Sequence, residues 1–242
     1  MVSTGVDVIL RDGKERGHLI NKKLGLITNP TGVTGSLERT LDALHRDFHL
    51  VALFSPEHGL HGEIQDALKI PEYRDDSTGL PVYSLYGDAR KPTAEMLEGI
   101  DALVFDIQDI GVRFYTYVTT MVLSMQACAE HGKEFIVLDR PNPISGTVVS
   151  GNIIEEKFTS FLGLSGLPVR HGFTVGELAT WANESLEIRC ELLTFKMHGW
   201  DRTMWYDETG LPWVMPSPNM PTLDTATVFP GTCLIEGTNV SE

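Results

Sequence analysis

The chain has few cysteines, little positive charge and no long apolar run, and each shortage closes off a class of protein. Cys128, Cys190 and Cys233 lie far apart, without C-x-x-C spacing and in odd number. Neither a disulfide framework nor a zinc site is indicated, and all three read as buried, inert thiols. Lys and Arg total 19 against 33 Asp and Glu, a formal net charge of −14. Nucleic acid and anionic membrane need clustered cations to displace counterions, so this balance argues against both as partners. A neutral or amphiphilic small molecule fits better. No segment approaches the roughly 20 apolar residues of a spanning helix, so no transmembrane segment is expected. Met1 to Leu10 has neither a basic start nor a long apolar stretch, so it shows no secretory signal, and the compartment stays open.

Cofactor signatures are missing as well. There is no G-x-G-x-x-G after the first strand and no G-x-x-x-x-G-K-[ST], which removes the main warrant for nicotinamide, flavin or nucleoside triphosphate. A G-x-S-x-G nucleophile elbow is also absent, and no cofactor is expected. His58, His61 and Glu63 carry metal-ligating groups, yet two histidines three apart around a glycine form no recognised metal signature, and no metal site is assigned.

What is present is an ordinary globular composition, 42% apolar and 21% charged over 242 residues. That length suits one large α/β domain, or one domain with an incomplete second. Strand-like apolar runs alternate with helix-period segments, the pattern of a mostly parallel sheet covered by helices on both faces. Strands are expected at Leu24–Thr28, Leu50–Phe54, Leu80–Tyr86, Ala102–Ile107 and Phe135–Leu138. Leu37, Leu41 and Leu44 recur at helical spacing, Thr93–Glu98 reads as a short helix stopped by Gly99, and Tyr117 to Ala129 as a long one closed by Gly132. Thr174-Val-Gly-Glu177 has capping-box spacing at the start of another helix. A long polar loop runs to about Asp76, and after Leu192 the texture turns to Gly, Pro, Trp and Met, as in irregular loops that line a site.

The most informative stretch is Leu50-Val-Ala-Leu-Phe-Ser-Pro-Glu-His-Gly-Leu-His-Gly-Glu63. A buried-type strand ends at Pro56, which has no N–H for the ladder, and delivers Glu57 and His58 just beyond it. The plainer alternative is a helix start, with Ser55 as cap, although Gly59 and Gly62 would spoil that helix. Ligands of open α/β sheets bind beyond the carboxyl ends of the strands. There the first strand gives Thr28 and Asn29; the second Glu57 and His58; the fourth Asp106, Gln108, Asp109, Arg113 and Tyr115; the fifth Asp139, Arg140 and Asn142. Each has a structural alternative: Asp139 and Arg140 as a local ion pair, Asp106 on loop amides, Asn142 in a turn. Carboxylates among amides and aromatic rings suit sugar chemistry, one group protonating a leaving oxygen and another activating water or stabilising positive charge. Esterases, phosphatases and sugar-binding modules share these side chains.

Eight motifs stand in order along the chain: Thr28-Asn-Pro-Thr-Gly-Val33, Phe54-Ser-Pro-Glu-His-Gly-Leu60, Gly79-Leu-Pro-Val-Tyr-Ser-Leu-Tyr-Gly87, Val104-Phe-Asp-Ile-Gln-Asp-Ile-Gly-Val-Arg-Phe-Tyr-Thr-Tyr117, Leu138-Asp-Arg-Pro-Asn-Pro143, Val169-Arg-His-Gly172, Pro216-Ser-Pro-Asn-Met220 and Glu236-Gly-Thr-Asn-Val-Ser241. Together they closely resemble the NamZ-type exo-β-N-acetylmuramidases, once catalogued as a domain of unknown function. The resemblance implies a bacterial cell-wall recycling enzyme that releases N-acetylmuramic acid from the non-reducing end of peptidoglycan fragments, in a family often exported. It implies a Rossmann-like catalytic domain over residues 1–230, with residues 231–242 opening a smaller C-terminal domain that this chain cuts short. Carried onto this chain, it makes Glu57 the first catalytic candidate and Glu236 the second. Asn29, His58, Asp106, Gln108, Asp109, Arg113, Tyr115, Arg140, Asn142, His171 and Asn219 become substrate-binding candidates, with Arg140 or Arg113 facing the lactyl carboxylate of muramic acid. The competing classes are a non-catalytic muropeptide- or sugar-binding module and a metal-dependent hydrolase.

Overall fold

The computed structural model describes residues 1–62, 73–87 and 89–239, without the side chain of Glu236. In chain order the elements are α1 (Gly5–Arg11), α2 (Gly13–Gly17), β1 (Lys23–Thr28), α3 (Thr40–Asp47), β2 (His49–Ser55), β3 (Tyr73–Arg74), β4 (Pro81–Ser84), β5 (Ala102–Asp106), α4 (Thr116–Glu130), β6 (Glu134–Leu138), β7 (Ser150–Ile153), β8 (Pro168–Arg170), α5 (Val175–Ser185), β9 (Glu191–Phe195) and α6 (Leu223–Thr232), with 3-10 turns at Glu156–Phe158, Tyr206–Thr209 and Cys233–Gly237. Seven strands form one sheet in the order β3-β4-β2-β1-β5-β6-β9. Every pairing is parallel except β3 with β4. This is the expected α/β three-layer fold, and β7 and β8 pair as a separate antiparallel hairpin.

The strands are apolar on both faces because both faces are covered. From β5, Leu103 and Phe105 pack with Met121, Met125 and Leu178 of α4 and α5, while Ala102 and Val104 pack with Val6, Ile9, Leu41 and Leu44 of α1 and α3. A strand buried on two sides loses the polar/apolar alternation of a half-exposed one, which is why these runs read as continuous. α4 closes as expected near Gly132, which takes a φ of +61°. α5 carries the expected capping box: the Glu177 amide donates to Thr174 Oγ1 (3.2 Å) and the Thr174 amide to Glu177 Oε2 (3.0 Å).

Several local expectations fail for identifiable reasons. Leu37 is exposed in a left-handed turn (φ +67°), and helix α3 starts only at Thr40. Thr93–Glu98 is a run of turns, not a helix: a single turn has too few hydrogen bonds to offset its ordering cost. The third strand is shorter than expected, Pro81–Ser84, and β9 lies where an irregular region was expected. Most of the polar loop before Asp76 falls outside the described residues. The segment after Ser55 is a tight turn and no helix, with His58 at φ +68° and Gly59 at +78°. All three cysteines are buried, and none forms a disulfide among the described residues. Among the described residues no helix is long and apolar enough to cross a membrane.

Chain direction reverses around β1: the chain passes from β1 outward to β2 and β4, then returns to β5 on the other side of β1. At such a switch point the loops leaving two adjacent strands diverge to opposite faces and open a crevice at their carboxyl ends. Asn29 follows β1 and Gln108 follows β5 at this place.

Candidate active site

The strand ends bring the candidates to one rim and then divide them into two groups. The first group is consumed in holding the rim together. Asp106, fully buried at the end of β5, accepts from Arg140 Nε (2.5 Å) and Nη2 (2.8 Å) and from the Thr40 hydroxyl (2.5 Å). Arg140, 3% exposed, also donates to the Val33 carbonyl at 2.8 Å. Burial works against its charge, but Asp106 more than offsets this and holds the guanidinium above its ordinary pKa. The ion partner of Arg140 is thus Asp106, not its neighbour Asp139. Asp139 instead accepts the amides of Arg140 and Gly176 (3.0 and 2.8 Å), and burial pushes its carboxyl up to about 6.

Asn142 holds a turn: its Nδ2 donates to the Phe173 carbonyl (2.9 Å) and its Oδ1 accepts the Ile144 amide (3.1 Å). Arg113 anchors the hairpin through the carbonyls of Leu167 (2.9 Å) and Asn152 and the Asn152 side chain (3.3 Å). Arg140 therefore spends its fork on the protein, and Arg113 spends Nη1 and Nη2 there while its buried Nε stays unpaired among the described residues.

The second group presents polar atoms without partners. Among the described residues, buried side-chain atoms lacking a hydrogen bond include Asn29 Nδ2, Gln108 Oε1 and Asp109 Oδ1. Burying such an atom unpaired costs about 1–3 kcal/mol, so a cluster of them marks a place completed by a ligand or water. Asn29 Oδ1 is fixed by the Thr31 amide (3.0 Å) and hydroxyl (2.5 Å), which sets the orientation of its buried NH₂. Gln108 Nε2 donates to the carbonyls of Asp109 and Pro141, both at 2.7 Å, and this leaves its Oε1 over. Asp109 Oδ2 takes the Gly111 amide at 2.7 Å and lies 3.2 Å from His171 Nε2. Because His171 Nδ1 accepts the Phe173 amide (3.2 Å), the neutral ring carries its proton on Nε2, facing Asp109.

Glu57 stands at the positive end of α4, where the Thr116 hydroxyl donates to its Oε2 at 2.6 Å. Tyr115 and Tyr117 meet edge-on, centroids 5.0 Å apart, and the Tyr117 hydroxyl donates to the Pro216 carbonyl at 2.7 Å. Burial raises the Tyr115 hydroxyl far above its ordinary pKa, with Tyr117, Asp109 and Glu57 adding to this and a hydrogen bond with Ser217 acting against it. Tyr117 is raised by burial and, less, by Glu57, with a side-chain hydrogen bond to Asn29 acting against both.

His58 sits beside Glu57 in its left-handed turn, half-buried. Asn219 is exposed in the loop after Pro216, and Glu236 has its backbone in the last 3-10 turn with its side chain outside the described residues. His61 Nε2 lies 3.1 Å from Asp75 Oδ1, and Glu63 is outside the described residues. Among the described residues no group of three His, Cys, Asp or Glu side chains could hold a metal ion. The structure adds three residues that sequence reasoning passed over: Thr31, Thr116 and Arg170. All three lay within quoted motifs, but the two threonines gave no chemical signal, because a hydroxyl that orients a neighbour has no spacing signature.

Residues 24–224 match the family model described as exo-beta-N-acetylmuramidase NamZ, N-terminal. The chain is 51% identical, over 243 residues, to the peptidoglycan beta-N-acetylmuramidase NamZ of Bacillus subtilis (strain 168), an alignment covering all of this chain and 58% of that protein. Two crystal structures of DUF1343 family proteins from Bacteroides fragilis NCTC 9343 match with TM-scores of 0.89 and 0.83, at 47% and 35% identity. They cover 97% and 98% of this chain but 60% and 62% of their own. The chain thus spans about three fifths of the length of these relatives.

Proposed function

Because the chain belongs to the NamZ exo-β-N-acetylmuramidase family, we propose that it hydrolyses the β-glycosidic bond of a non-reducing terminal N-acetylmuramic acid in peptidoglycan fragments, with Glu57 transferring the proton. The observation that carries this reading is the Glu57 carboxylate, pinned by Thr116 at the head of α4 and sharing Tyr115 with a second, buried carboxylate that has an oxygen to spare.

Glycoside cleavage needs a proton for the leaving oxygen and a negative group near the anomeric carbon as positive charge develops there. In this assignment Glu57 gives its proton to the leaving oxygen; Thr116 occupies Oε2 and leaves Oε1 for the transfer. Asp109 is the second carboxylate. Its Oδ2 accepts the Gly111 amide, with His171 Nε2 standing 3.2 Å away, and its unpaired Oδ1 takes a proton from the attacking water or faces the oxocarbenium-like centre. Asn29 Nδ2 and Gln108 Oε1 supply a donor and an acceptor for ring substituents. Tyr115, Trp205 and Trp213 pack on one apolar cluster beside them and offer ring faces to a pyranose. Release of free N-acetylmuramic acid places this chemistry in cell-wall recycling.

The test is chromophore release from an aryl β-N-acetylmuramide, beside the matching N-acetylglucosaminide, by the protein containing this chain. The muramide is turned over, and Glu57→Gln lowers kcat by about 10²- to 10⁴-fold while equilibrium binding of N-acetylmuramic acid persists. Activity surviving in the variant would remove Glu57 from the proton transfer, and a wild-type protein inert toward the muramide would sink the whole reading.

A further inference from the structure

Among the described residues Arg170 has no partner for the edge of its guanidinium that best grips a carboxylate. Nε and Nη2 point the same way and form the two-pronged donor pair of bidentate recognition. Both atoms are buried and neither makes a hydrogen bond among the described residues. The cation lies over the Trp205 ring, 5.4 Å from its centroid. Burial alone moves its pKa, downward, and no carboxylate charge opposes the shift. In a chain with 33 acidic residues against 19 basic ones, that isolation is unusual. Arg140 is paired with Asp106, and Arg113 leaves its Nε open but gives its Nη2 to Asn152, so of these three arginines Arg170 is the one with both prongs of a buried fork to offer. A cation withdrawn from water without a counter-charge is costly, and an arriving anion recovers that cost.

Its place in the fold ties it to the crevice. Arg170 ends β8, immediately before His171, whose Nε2 faces Asp109. Its backbone bridges Val112, and the neighbouring Arg113 amide donates to the Val169 carbonyl at 3.0 Å, so β8 runs alongside the segment that leaves Asp109. Trp205, under the guanidinium, packs on the same apolar cluster as Tyr115.

We propose that Arg170 is a specificity-determining residue that grips the carboxylate of an acidic hexosamine through Nε and Nη2, so that the site takes a sugar acid in preference to its neutral counterpart. The inference rests on the muramidase reading, since muramic acid differs from glucosamine by its lactyl carboxylate.

Two aryl β-N-acetylmuramides differing only in that group, the lactyl acid and the lactyl amide, test it on wild type, Arg170→Met and Arg170→Lys. The expected result is a wild-type preference for the acid in kcat/KM that falls by about 10- to 100-fold in Arg170→Met, with amide turnover unmoved. Arg170→Lys keeps a cation over Trp205 but loses the fork, and retains only part of the preference; it also covers failure of the Met variant to fold. A preference unchanged in both variants overturns the role of Arg170 and leaves the muramidase reading standing. Turnover of neither substrate by wild type overturns that reading instead. In that event the Nε–H resonance of Arg170, assigned by its loss in Arg170→Lys, is followed during titration with D-lactate: a shift upholds the anion fork and no shift overturns it.

Discussion

Replacing Asp106 by Val separates a structural from a catalytic role for the most deeply buried carboxylate of the rim. Its side chain is 0% exposed and that of Arg140 is 3% exposed, with two hydrogen bonds between them at 2.5 and 2.8 Å. The variant leaves the guanidinium in place with the Val33 carbonyl and no counter-charge, and deprives the Thr40 hydroxyl of its acceptor. Removing one partner of a buried pair costs about 3–5 kcal/mol. For a chain of this size each kcal/mol lowers Tm by about 2–4 °C, so the melting temperature should fall by roughly 6–20 °C. Paired replacement, Asp106→Val with Arg140→Met, removes the stranded charge and should be more stable than Asp106→Val alone by at least about 1 kcal/mol, the remaining deficit coming from Thr40 and Val33. Urea denaturation of the two variants and wild type measures these differences. A loss under about 1 kcal/mol in the single variant, accompanied by lost turnover, would refute the latch and assign Asp106 to the substrate. A double variant no better than the single one would show that the stranded charge is not the cause.

Two further outcomes follow from the rim. Asp139 has its folded pKa raised by burial from 3.8 to about 6. Between those values the native state binds more protons than the unfolded state, so this group makes stability fall as pH rises from about 4 to 6 and adds no slope above, with about 3 kcal/mol as upper bound. Asp139→Asn should remove that part of the slope in denaturation at matched pH values, and a carboxyl ¹³C titration midpoint near the unfolded value would refute it. Gly111 sits at φ +82°, and a Cβ there would come 2.5 Å from Asn142 Oδ1 and 2.8 Å from Ile144 Cγ1. Gly111→Ala should cost at least about 1–3 kcal/mol and displace Asp109, whose Oδ2 accepts the Gly111 amide. An unchanged melting temperature and unchanged turnover would show the contact to be relieved at no cost.

The fold class was legible because strands buried on two faces leave unbroken apolar runs, as in Ala102-Leu-Val-Phe-Asp106, and because Thr174 and Glu177 announce a helix start chemically. β9 and α1 were not. β9 is a sheet edge whose partner β6 fixes it from outside, and the α1 cap uses Asp7, whose carboxylate also takes the Gly35 amide. Leu37 fitted the helical period and was misleading, since an exposed left-handed turn puts it outside α3.

For the site, the sequence determined which chemical groups reach the rim: an acid after β2, an acid and an amide after β5, an arginine after β6. Chain direction and strand length suffice for that, because both are local. It did not determine which of those groups stay available. Asp106 and Asp109 are three residues apart on one strand end, yet Asp106 is spent on Arg140 and Asp109 keeps an oxygen free. Arg113, Arg140 and Arg170 are chemically identical, and only Arg170 keeps its Nε and Nη2 edge open. Availability depends on partners brought from 34 to 107 residues away, Arg140 on Asp106 and Val33 on Arg140, and such pairings exist only once the sheet has closed.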